Sequence, residues 1–173
     1  MEPSLKIILS FIIPLFFLLS MQGCIQTNTP ATDNFSFSIV TGETKNLSDY
    51  HGHAVLLDFM GVACQPCQQE MFILAQLHQN FSNLSIISID VWTTQGETTQ
   101  SIQQLKDTFQ QQYGIVLDWT FGLDDAQGTL GSRFASDGVP HLYLYTKQGN
   151  LYYTHLGYEA YSTLAAQVEA LLD

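Results

Sequence analysis

Apolar residues along the 173-residue chain fall into short blocks, and the spacing inside each block separates strands from helices. Val55–Met60 is a continuous apolar run broken by one carboxylate, Asp58, which predicts a strand covered on both faces of a sheet. From Gln65 the apolar positions Met71, Leu74, Ala75, Leu77 and Phe81 recur at helical spacing, and Pro66 suits a first helical turn. Ser85–Val91 alternates around Ile86, Ile87 and Ile89 and reads as a second core strand. A helix from about Thr98 to Tyr113 follows, with Ile102, Leu105, Phe109 and Tyr113 on one stripe and Gly114 as its C-cap. Leu117–Phe121 predicts a strand, and Asp124–Phe134 a turn and short helix. Leu142–Thr146 and Leu151–Leu156 predict a hairpin across Lys147-Gln148-Gly149-Asn150. Leu164, Val168, Leu171 and Leu172 predict a closing helix packed on a sheet. Strand, helix, strand, helix, hairpin, helix predicts an α/β three-layer sandwich, a central mixed β-sheet with helices on both faces.

The chemistry sits where the first strand meets the first helix, at Cys64-Gln65-Pro66-Cys67. A cysteine at a helix N-terminus faces unpaired N–H groups and the positive end of the helix dipole, which stabilise a thiolate. Cys64 is therefore the expected nucleophile. Cys67, three residues on and deeper, is the expected resolving thiol, and the two can close a disulfide. Asp58 reads either as a solvent-facing edge residue or as a buried acid beneath the cysteines, with raised pKa, that takes the proton of Cys67. No Lys, Arg or His flanks Cys64, and Glu70 with the acidic surface opposes its thiolate, which predicts a reducing couple.

From Phe35 onward the chain resembles the thioredoxin superfamily, and within it the membrane-tethered reductase branch typified by TlpA and ResA. Carrying the resemblance are the leader Asn46–His53, Asp58 six residues before Cys64, Cys67-Gln68-Gln69-Glu70-Met71, and Gly138-Val139-Pro140. The chain departs from the family pattern at Met60, Ala63, Gln65, Phe72 and His141. The resemblance implies a cis peptide before Pro140, a substrate strand held by the Val139-Pro140 backbone beside Cys64, and reduction of partners such as apocytochromes or copper-site proteins. No cofactor is expected. The partners expected are disulfide-containing exported proteins and a thiol electron donor.

Residues 1–23 carry an apolar core of about thirteen residues from Ile7, too short for a membrane span of roughly twenty, and predict a signal peptide. Gly23-Cys24 resembles a lipobox, making Cys24 the expected lipidation site and placing the protein on the extracytoplasmic side of the cell membrane. Residues 24–34 read as a tether and 35–173 as the domain. Net charge is −11; setting aside Glu2 and Lys6 leaves fifteen acidic and four basic residues, which excludes a nucleic-acid surface. Four Asn-x-Ser sequons, at Asn34, Asn46, Asn80 and Asn83, are expected from composition alone.

Two other classes compete. A copper-binding or metallochaperone protein would use Cys64, Cys67 and His141, which adjoins Pro140. A structural zinc site lacks a second ligand pair. A binding module without redox chemistry would not need both cysteines and the acid.

Overall fold

The structure, a computed structural model, describes residues 33–172. The expected signal peptide, Cys24 and residues 25–32 of the expected tether lie outside the described residues.

Seven strands form one sheet: β1 (Ser36–Ile39), β2 (Thr44–Asn46), β3 (Ala54–Met60), β4 (Leu84–Asp90), β5 (Thr120–Leu123), β6 (His141–Tyr145) and β7 (Leu151–Leu156). Their spatial order is β2-β1-β5-β4-β3-β6-β7. β3 lies between β4, to which it runs parallel, and antiparallel β6, so every residue of β3 is buried. That explains its continuous apolar run.

Alternation along β3 divides the core. Leu56 and Met60 point toward α1 (Gln65–Asn80), α2 (Thr99–Tyr113) and α4 (Tyr161–Leu172); Val55, Leu57 and Phe59 point toward α3 (Thr129–Phe134) and the 3-10 turn Leu47–Tyr50. The result is the expected three-layer α/β sandwich. Phe72, on α1, packs against Phe109 and Tyr113 of α2 with ring centroids 5.0 Å from each. An aromatic contact thus ties the two helices together. α2 ends at Gly114, whose φ of 69° is the left-handed conformation that stops a helix cheaply only at glycine.

Three differences from the expected elements have physical causes. The β1–β2 hairpin was hidden because its strands are short and half polar. The expected strand at Leu117–Phe121 starts instead at Thr120: Leu117 and Trp119 are buried by packing, outside the ladder that begins at Ile87–Thr120. Leu171 and Leu172, expected on the packed face of the last helix, are only half-buried. Asp33 and Asn34, at the end of the expected tether, contact the domain, through Arg133 at 2.8 Å and the Ser48 N–H at 3.1 Å. Among the described residues no helix is long and apolar enough to cross a membrane.

Candidate active site

β3 delivers the chain to the edge of the sheet at Met60, and Gly61-Val62-Ala63 turns it into α1. A side chain at Gly61 would collide with the indole of Trp92, so the turn closes only because that position is bare. Cys64 caps α1 and forms a disulfide with Cys67, their Cα atoms 5.2 Å apart. The Cys67 N–H donates to Cys64 Sγ at 3.2 Å, one of the unpaired donors of the first helical turn. Cys64 is 5% exposed and Cys67 0%, so a partner reaches Cys64 first.

The loop before β6 approaches from the other side. Its Val139–Pro140 peptide is cis, and the Val139 carbonyl oxygen lies 3.8 Å from Cys64 Sγ. The Gly157 N–H, after β7, donates to the Pro140 carbonyl at 2.8 Å and holds that loop in place.

Asp58 is fully buried in the central strand, so the edge-strand alternative fails. Ser88 Oγ donates to Asp58 Oδ2 at 2.9 Å, and Trp119 Nε1 donates to Ser88 Oγ at 3.0 Å, while Asp58 Oδ1 has no partner. Burial raises the Asp58 pKa to about 7, against a smaller opposing effect of the Ser88 hydroxyl.

The sequence reading takes Glu70 as a charge opposing the thiolate; the structure corrects this. Glu70 is fully buried, and its Oε2 accepts the Glu159 N–H at 2.9 Å. Burial raises its pKa to about 8, with the Asp58 and Glu159 carboxyls adding to the shift, so Glu70 is protonated at neutral pH. Its spacing was the signal available: i+3 from Cys67, it falls in the apolar stripe of α1 rather than on the polar face.

A third buried acid, Asp90, ends β4. Its Oδ1 accepts the Trp92 N–H at 2.9 Å and its Oδ2 has no partner; burial first, then the nearby Glu97 and Asp124 carboxyls, raise its pKa to about 7. Glu97 in turn accepts the Val62 N–H at 2.6 Å and the Ala63 N–H at 2.8 Å. Neither residue was singled out from sequence, where Glu97 lies in a featureless Thr/Gln/Gly stretch.

His141 does not join the cysteines. It pairs with Phe59 in the β3–β6 ladder and therefore faces the opposite side of the sheet from Asp58. Its ring lies 4.6 Å from that of Tyr143, and its Nε2 is 3.2 Å from Thr154 Oγ1. The copper alternative thus loses its third ligand. Among the described residues no group of three or more His, Cys, Asp or Glu is arranged to hold a metal ion.

Comparison with known proteins agrees with this geometry. The thioredoxin-like protein YneN of Bacillus subtilis is 30% identical over 95 residues, 54% of this chain and 55% of that protein. The thiol-disulfide oxidoreductase ResA of Geobacillus kaustophilus is 30% identical over 87 residues, 49% of this chain and 48% of that protein. The chain spans about half the length of these relatives. A Chlorobium tepidum protein assigned as the thiol:disulfide interchange protein DsbE superposes with a TM-score of 0.68 at 21% identity, over 82% of this chain and 95% of that one, which establishes a thioredoxin-like fold. Residues 28–154 match the AhpC/TSA family, and the chain belongs to that family.

Proposed function

We propose that the protein is a thiol-disulfide oxidoreductase that reduces disulfides in exported partner proteins. The observation that carries the reading is the Cys64–Cys67 disulfide at the N-terminus of α1, in a chain whose central strand buries a carboxyl group with one free oxygen.

In the dithiol form the Cys64 thiolate attacks one sulfur of a substrate disulfide. The Cys64–substrate bond forms, the substrate S–S bond breaks, and the departing thiolate takes up a proton. Cys67 then gives its proton to the Asp58 carboxylate and attacks Cys64 Sγ, releasing the second substrate thiol and leaving the Cys64–Cys67 disulfide. A thiol donor returns two electrons and two protons to restart the cycle. The Val139-Pro140 backbone, bordering Cys64, holds the substrate strand.

The cellular setting rests on the sequence. A signal peptide over residues 1–23 and lipidation at Cys24 would tether the domain, across residues 24–34, to the extracytoplasmic face of the membrane. The partners are disulfide-containing exported proteins, apocytochromes or copper-site proteins among them, with a thiol donor.

Trapping tests the chemistry: Cys67→Ser is expected to accumulate a mixed disulfide through Cys64, and Cys64→Ser none. Trapping by the Cys64 variant alone would reverse the roles. Labelled palmitate incorporated by the wild type and lost in Cys24→Ala tests the anchor.

A further inference from the structure

The turn that presents Cys64 is held from outside itself. Gly61-Val62-Ala63 leaves the sheet, and the Val62 and Ala63 N–H groups both point to one side chain, Glu97, each on a separate carboxylate oxygen. Two N–H donors on two oxygens form a bidentate clasp, which fixes orientation as well as distance. Glu97 comes from the segment after β4 and is anchored there by its own N–H, which donates to the Trp92 carbonyl at 3.3 Å. Trp92 in turn covers Gly61. The clasp thus joins the end of β4 to the residue immediately before Cys64.

Behind it stands Asp90, fully buried, with Oδ2 facing no donor. Burial first, and then the nearby Glu97 and Asp124 carboxyls, raise the Asp90 pKa, so a second negative charge at the end of β4 is disfavoured.

We propose that Glu97 is a positioning residue that sets the reducing power of the Cys64–Cys67 pair: its carboxylate clasps the Val62 and Ala63 amides, fixes the turn carrying Cys64, and places a negative charge beside the nascent thiolate. A negative charge next to Cys64 disfavours its thiolate, and a less stable thiolate makes the dithiol the stronger reductant. The only protein donor to Cys64 Sγ among the described residues is the Cys67 N–H, so the helix terminus alone works against that charge.

The inference rests on the thiol-disulfide reading, and the test separates the two. The wild-type domain is equilibrated with glutathione, in which the protein dithiol and oxidised glutathione give the protein disulfide and two reduced glutathiones, and the Cys64 thiol is titrated by its thiolate absorbance. A wild type that does not exchange at all sinks the enzymatic reading. Glu97→Gln, which removes the charge and keeps the size, is expected to favour the Cys64 thiolate about tenfold and to shift the glutathione equilibrium about tenfold toward the dithiol, about 30 mV for this two-electron couple. Glu97→Asp, which keeps the charge on a shorter arm, is expected to stay within about threefold of the wild type. No shift in Glu97→Gln overturns the proposal, and so do equal shifts in both variants, because a loosened turn alone would then account for them. Should Glu97→Gln not fold, amide exchange of the wild type decides: Val62 and Ala63 are expected to be protected, and free exchange at both overturns the clasp.

Discussion

Ser88 and Asp58 sit opposite each other on parallel neighbouring strands, and the hydroxyl of one donates to a single oxygen of the other at 2.9 Å. The other oxygen is buried without a partner. A half-satisfied carboxyl group is a poor structural device, because burying it costs more than one hydrogen bond returns. It is a usable proton acceptor.

Asp58→Asn is therefore expected to slow release of the mixed disulfide about a hundredfold at pH 8 while leaving its formation nearly unchanged. In the wild type the release step should quicken as pH rises through about 7, where Asp58 ionises, and in the variant that rise should disappear. Stopped-flow fluorescence resolves the two steps. Unlike a lost structural contact, the substitution should also raise stability at pH 8, since no charge is then buried.

Stability should run opposite to the usual acid unfolding. Asp58 and Asp90 move from 3.8 in the unfolded chain to about 7 in the fold, and Glu70 from 4.5 to about 8. Between those limits the native state keeps protons that the unfolded state has lost, so stability falls as pH rises from about 4 to about 8, by at most about 1.4 kcal/mol per unit for each group. Below about pH 3 all three are protonated in both states and the penalty is absent. Urea midpoints are expected to be higher at pH 5 than at pH 8, and Glu70→Gln should flatten the difference.

Gly61→Ala should damage the site without touching its chemistry. The added methyl meets the Trp92 indole, and relieving it must move either the turn or the tryptophan that shields it. A loss of about 1–3 kcal/mol is expected, as for other overpacked positions. Thermal unfolding measures it, and the near-ultraviolet signal of Trp92 should change with it. An unchanged melting temperature would mean that the turn adapts freely.

The couple should lie nearer to thioredoxin, about −270 mV, than to a dedicated oxidant near −120 mV. No cation flanks Cys64 in sequence, Glu70 is neutral, and Glu97 is the nearby carboxylate. Equilibration with glutathione decides it, since a disulfide readily reduced at mildly oxidising poise would show the opposite.

What could be read from the sequence was local. β3 announced itself by an apolar run in which Asp58 was the one anomaly, and α1 and α2 by their 3.6-residue stripes and, for α2, Gly114. The cysteines needed only the strand-to-helix junction between them. What escaped depends on partners far along the chain: Glu97 meets Val62 across 35 residues, and Glu70 meets the Glu159 N–H across 89. Periodicity carries no record of such pairs. β1 was missed for a related reason: Phe35 and Phe37 alternate over too few residues to stand out from the polar segment before them, and pairing with β2 and β5 makes Ser36–Ile39 a strand.

The disulfide joins residues only three apart in sequence. A cross-link stabilises a fold largely by shrinking the freedom of the unfolded chain, and a loop this small removes almost the least that any cross-link can, about 2 kcal/mol where a hundred-residue loop removes about 4.7. Opening or closing it thus changes the stability of the fold by less than half of what a long-range cross-link would. Oxidised and reduced molecules can share one architecture, and the free energy of the bond is left for exchange with a partner instead of being absorbed in unfolding.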